Sequence, residues 1–154
     1  MARAPFQVIV FPYHKTAVGS CEYAVFFRRT LRYGDFWQAV SGGGEDDETP
    51  LQAARREANE EAGLSLDTAF IQLESMVTLP APQAAGMLWG PEVLVVPEYA
   101  FGADAAGQEI VLSEEHTEYR WVDYETAQQL LRFDSNKNAL WELDYRLTNQ
   151  RKWI

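Results

Sequence analysis

Three carboxylates, Glu57, Glu60 and Glu61, stand at positions i, i+3 and i+4 of one segment, downstream of the run Gly42-Gly43-Gly44. On a helix these side chains share an arc roughly 100° wide, and like charges so spaced repel by a few tenths of a kcal/mol per pair. Taken alone, the triplet reads as a solvated face partly neutralised by Arg55 and Arg56. The glycine run changes that reading, because glycine lets a backbone bend sharply and bring its own carbonyl and N–H groups against a ligand. Hard cations take carboxylate and backbone oxygens and leave their remaining positions to water and substrate phosphates. Together these residues predict a Mg²⁺ or Mn²⁺ site that receives a small phosphorylated compound.

The elements that must position them are legible nearby. Thr49 can cap free N–H groups and Pro50 suits a first helical turn, so a helix is expected to open there. Strong helix formers follow, and Gly63 supplies a left-handed stop. Leu51, Ala54, Ala58 and Ala62 fall on one apolar stripe, with Ala53 one turn before Glu57 leaving space above the carboxylates. Apolar runs at residues 7–12, 22–28, 36–40, 70–78, 92–99 and 119–122 read as strands. Residues 124–131 read as a second helix, and the leucine- and tryptophan-rich stretch after Asp134 and Ser135 as a third, capped by one of those two. Residues 103–107 read as a loop. The expected architecture is an α/β fold, an α/β/α sandwich around a mixed sheet, in a single domain over residues 1–154.

Gly42, five residues, Glu48, seven residues, then Arg56-Glu57-Ala58-Asn59-Glu60-Glu61-Ala62-Gly63-Leu64 resembles the Nudix box, G-x5-E-x7-REUxEExGU, where U is a bulky aliphatic. Ala58 is the one departure, standing where a larger aliphatic is usual. The resemblance implies a Nudix hydrolase with the α/β/α fold, cleaving a nucleoside diphosphate linked to another moiety by metal-assisted attack of water on phosphorus. It also implies Glu57, Glu60 and Glu61 as metal ligands, the Gly42 carbonyl completing the cage, and Arg56 and Glu48 in support, the arginine orienting the glutamates. Gly43 joins the substrate contacts. Residues 35–42 and the segment from Glu115 to Asp123, with its EHxxYxW pattern, are similar to the dihydroneopterin triphosphate pyrophosphatase group within the family; residues 70–107 carry no such likeness.

That second segment nominates Glu115 as a fourth carboxylate, ligand or base, with Glu114 the near competitor and an acidic surface turn the plainer reading of both. His116 reads as a supporting residue. Arg28 and Arg29 end the second strand, where alternation lets only one face the site; Arg29 is preferred as phosphate clamp, by its likeness to an arginine in similar enzymes. Trp37, Trp89 and Tyr99 are candidates for stacking on a base or pterin ring, and for Trp37 the core is the favoured place.

The formal net charge of −10 argues against a nucleic-acid polymer as partner, which would require clustered lysine and arginine. A small phosphorylated substrate would reach this acidic site only with positive charge borrowed from metal ions. Cys21, the single cysteine, cannot form an internal disulfide, and the apolar run at residues 6–11 is too short to span a bilayer; a cytoplasmic enzyme with no membrane role is expected. The expected activity is pyrophosphohydrolysis of a nucleoside or pterin triphosphate to monophosphate and pyrophosphate. The alternatives are a dinucleoside polyphosphate hydrolase, or a Nudix-fold nucleotide-binding domain without turnover. Oligomeric state is left open.

Overall fold

The computed structural model describes residues 2–149. Its elements run β1 (Arg3–Lys15), β2 (Cys21–Thr30), β3 (Gly34–Gln38), β4 (Val40–Glu45), α1 (Pro50–Ala62), β5 (Phe70–Pro80), α2 (Ala81–Ala85), β6 (Val95–Asp104), β7 (Glu118–Val122), α3 (Tyr124–Leu130) and α4 (Asp134–Thr148).

One mixed seven-stranded sheet has the order β3-β2-β1-β6-β5, with β4 added to β1 and β7 to β2. The long strand β1 organises it. Its first part pairs antiparallel with β4, with Val8 opposite Gly42, and its end pairs antiparallel with β2, with Tyr13 opposite Tyr23. Its other edge pairs parallel with β6, with Gln7 opposite Glu98.

Side chains alternate across a strand, and here both faces are covered. Val8 and Val10 point with Phe6, Phe26 and Phe101 into the cluster under α1, whose contribution is the alanines Ala53, Ala54, Ala58 and Ala62. Ile9 and Phe11 point the other way, with Tyr23 and Val25, toward Ala127 of α3 and Leu140 and Leu143 of α4. The expected α/β/α sandwich is the observed one. Ala58 is buried in the first cluster, so the small residue at the box's aliphatic position lets the helix lie close to the sheet.

Several local expectations are revised. The glycine run is no turn: Gly42, Gly43 and Gly44 lie within β4, which runs from Val40. Residues 92–94 precede β6, whereas Ala103 and Asp104 still belong to it. The short helix α2 was not anticipated. The third helix is capped by neither Asp134 nor Ser135, since Phe133 occupies the N-cap position without a side-chain bond.

Two polar contacts tie α4 to the sheet. The buried Tyr23 hydroxyl donates to Asp144 Oδ1 at 2.6 Å, and burial raises its pKa well above the ordinary tyrosine value. At a register shift in β5 between Gln72 and Met76, the Glu142 carboxylate accepts from the backbone N–H groups of Glu74 at 2.8 Å and Ser75 at 2.7 Å. A bulge leaves backbone donors unpaired, and Glu142 supplies the missing acceptors. Burial works to raise its pKa, but bonds from Ser75, the two backbone groups and Arg146 outweigh it and hold the carboxyl below its ordinary value.

An acid whose pKa is lowered by folding adds stability above its unfolded pKa, and that contribution fades as pH falls through the folded value. Glu142→Gln should therefore lower stability by about 1–3 kcal/mol at neutral pH. The difference between the two proteins should shrink below about pH 4, as read from thermal denaturation midpoints across that range.

Candidate active site

Helix α1 is fixed at both ends by its own sequence. Thr49 Oγ1 accepts from the Gln52 backbone N–H at 3.2 Å, and Gln52 Oε1 accepts from the Thr49 N–H at 2.8 Å, a reciprocal capping box. Gly63 closes the helix at φ 71°, a conformation glycine adopts without steric cost. The buried stripe is turned from the one expected. Leu51 is 37% exposed, while Ala53 is fully buried and Glu61 is buried beside Ala62. Glu61 and, in part, Glu57 therefore face the protein, whereas Glu60 stays exposed.

What it faces is β4, and the glycines there are explained by crowding. A Cβ on Gly42 would overlap the Glu57 carboxyl group, one on Gly43 the Arg3 guanidinium, and one on Gly44 the Phe6 ring. The Gly43 carbonyl accepts from Arg56 Nη2 at 2.8 Å. Gly42, lacking a side chain, makes room for the Glu57 carboxyl group.

Arg56 holds the acidic groups in place. Its Nε and Nη2 donate to the two oxygens of Glu48 at 2.9 and 3.0 Å, and its Nη1 to Glu57 Oε1 at 2.8 Å and Glu60 Oε2 at 3.4 Å. Glu48 Oε1 also accepts from the Glu45 backbone N–H at 2.8 Å. The bonds from Arg56 draw the Glu48 carboxyl below its ordinary pKa, and Glu48, then Glu57, raise that of the guanidinium. Glu60 is the most open of the set, with 56% of its side chain exposed.

Glu61 lies deepest, 3% exposed. Its Oε1 is 3.0 Å from His116 Nε2, and its Oε2 has no hydrogen-bond partner. Burial first, then the neighbouring Glu57 and Glu115 carboxylates, push its pKa up to about 11. Burial lowers that of His116. Ligand atoms of Glu61, Glu115 and His116 all lie within 4.8 Å of one another. A buried carboxylate oxygen without a partner, in a set of hard oxygen donors and one imidazole, suits a divalent cation, whose charge would restore the ionised form of Glu61.

Glu115 reaches this cluster because its loop closes the end of α1. The N–H groups of Val111 and Ser113 donate to the carbonyls of Ala62 at 2.9 Å and Glu61 at 3.3 Å, and the Thr117 N–H donates to Phe27 on β2 at 3.3 Å. Glu114 is exposed and lies outside both the cluster and the neighbouring cavity.

That cavity, about 740 Å³, is lined by Ser41, Gly42, Gly43, Glu57 and Glu115, and by three arginines, Arg3, Arg28 and Arg32. Of the strand-end pair, Arg28 faces it; Arg29 is exposed and lies over the Phe27 ring at 5.8 Å. Trp37 packs on Phe27 with ring centroids 5.1 Å apart, Tyr99 packs on Phe6, and Trp89 donates to the Arg3 carbonyl at 2.8 Å; none lines the cavity. Arg3, Arg32, Gln38 and Glu98, which the sequence alone does not single out, all do. For Glu98 a signal existed: an acidic residue in the interior of a mostly apolar strand.

Fold and site together define a hydrolase of the α/β class. The NUDIX domain model matches residues 9–142, and the chain belongs to that family. A solved NUDIX chain from Listeria monocytogenes is 42% identical, with a TM-score of 0.83 over 95% of this chain and 96% of that one. Dihydroneopterin triphosphate diphosphatase of Haemophilus influenzae is 28% identical over 109 residues, 69% of either chain. An Ap4A hydrolase structure from C. elegans, 19% identical with a TM-score of 0.67 over 96% of this chain and all of that one, shares the fold. No helix among the described residues is long and apolar enough to cross a membrane.

Replacing Arg56 by lysine retains charge but loses the planar fork that holds Glu48 and Glu57 at once. Steady-state kinetics of Arg56→Lys should show activity reduced about 10–100-fold, with an unchanged circular dichroism spectrum.

Proposed function

We propose that this hydrolase cleaves a phosphoanhydride bond of a nucleoside or pterin triphosphate, giving the monophosphate and pyrophosphate with Mg²⁺ or Mn²⁺. The observation that carries this reading is that Glu57 and Glu115 line a cavity whose wall holds three arginines, with the buried Glu61 beside Glu115. Carboxylates beside a polyphosphate repel it unless cations intervene, whereas guanidinium groups bind phosphate oxygens through paired N–H donors.

Glu57, Glu60, Glu61 and Glu115 are the residues that would hold the metal, with the Gly42 carbonyl. When bound, the cation supplies charge neutralisation at phosphate oxygens and acidification of the attacking water. The chain's own part is positioning. Arg56 and Glu48 fix the rotamers of the glutamates, Gly42 admits Glu57 against the strand, and His116 orients Glu61. Arg28 replaces Arg29 as the phosphate clamp, joined by Arg3, whose Nη2 bonds Gln7 at 2.8 Å and whose buried Nε has no partner. Glu115, the exposed member of the cluster, would serve either as a metal ligand or as the base that takes the proton from water.

The decisive experiment is a hydrolysis screen with Mg²⁺ across nucleoside triphosphates, dihydroneopterin triphosphate, diadenosine polyphosphates, ADP-ribose and nucleotide sugars. Pyrophosphate with a monophosphate is the expected product pair. ATP released from diadenosine tetraphosphate would move the assignment to dinucleoside polyphosphates, and silence with both metals would favour a binding role. Chelation should abolish turnover and added Mg²⁺ restore it. Glu61→Gln preserves size and should lower kcat by at least about a hundredfold while melting at or above the wild-type temperature; full activity in that variant would remove Glu61 from the site.

A further inference from the structure

The cavity also holds two buried polar groups unused by phosphate chemistry. Glu98, on β6, is 6% exposed, and Gln38, at the end of β3, is 5% exposed; both line the cavity. Glu98 Oε1 and Gln38 Nε2 have no hydrogen-bond partner. Burial raises the pKa of the Glu98 carboxyl, and N–H donors from a ligand would favour its ionised form, which offers about four lone-pair sites. Asn136, beside Ser135, fixes the strand junction by accepting from the Ala39 N–H at 2.9 Å. A buried polar atom left unpaired is costly, and native proteins rarely retain one without a ligand or role.

Register places Glu98 relative to the glycine strand, and Gln38 lines the same cavity from β3. Gly43, Gln7 and Glu98 stand opposite one another across β4, β1 and β6. Two strand spacings, about 10 Å, therefore separate Gly43 from Glu98. A sugar or short polyol chain carrying phosphates at one end bridges such a gap to a ring at the other.

We propose that Glu98 and Gln38 read the amino-oxo edge of a guanine or pterin ring. This rests on the triphosphate reading above. The Glu98 carboxylate accepts two parallel donors, the ring N–H and the exocyclic amino group, while the Gln38 amide donates to the adjacent ring carbonyl. Guanine and pterin share this donor-donor-acceptor edge. Adenine presents a ring acceptor where Glu98 requires a donor, and hypoxanthine lacks the amino group.

The test compares hydrolysis of GTP, ITP, ATP and dihydroneopterin triphosphate with calorimetric binding of GMP, IMP and AMP, in the full chain and in Glu98→Gln. Loss of one hydrogen bond to a charged acceptor corresponds to about tenfold to a hundredfold, so GTP should exceed ITP in kcat/KM, and GMP exceed IMP in affinity, by that factor. In Glu98→Gln both ratios should fall to within about threefold of unity. The ratio of GTP to dihydroneopterin triphosphate distinguishes the two ring sources. Equal use of GTP and ITP by the wild type, or ratios preserved in Glu98→Gln, would overturn the assignment while leaving triphosphate hydrolysis intact. If no triphosphate is hydrolysed, the functional reading fails, and the GMP-to-IMP affinity ratio still decides the ring site. Gln38→Leu gives a second decision should Glu98→Gln not fold: weaker GMP binding supports the pairing, and unchanged binding overturns it.

Discussion

One guanidinium, that of Arg56, bonds Glu48, Glu57, Glu60 and the Gly43 carbonyl at distances from 2.8 to 3.4 Å. Without it, several carboxylates confined to one helix face and one strand edge would turn toward separate solvent directions to relieve their repulsion. Its planar geometry sets where the acids stand, and its contact with Gly43 sets how far α1 lies from β4. The apolar side depends on the same spacing, because the alanines beneath the helix fill the sheet interface only when it lies close.

Glycines in β4 serve that spacing by absence. Side-chain groups of Glu57, Arg3 and Phe6 occupy the volumes where their Cβ atoms would be. The strand is crowded on both faces, which accounts for three glycines in succession better than a need to turn.

Much of this was legible in the residues. The capping signals around Thr49 and Gly63 are local, and they located α1 to the residue. Apolar runs revealed the strands because both sheet faces are buried under helices. What escaped were features set by distant partners. A glycine run carries the same local signal for a bend as for a strand crowded from both sides. The stripe on α1 was misread by one position because Glu61, buried against His116, counts as polar in any pattern of hydropathy. Arg28 and Arg29 are equivalent until the pairing of β2 with β3 chooses a face. Glu98 and Gln38 come from strands remote in sequence, and only the sheet order places them along one cavity.

The loop before β7 gives the site a property that its helix alone would lack. Its backbone N–H groups satisfy the last carbonyls of α1, and its His116 meets Glu61 across 55 positions of sequence. The local motif can form with α1, but the cluster is complete only after a long chain closure has been made. Cation affinity is therefore an index of tertiary assembly: a species holding α1 without that closure would carry the sequence signature of the site and bind metal poorly, so a spectroscopic cation would report the late steps of folding.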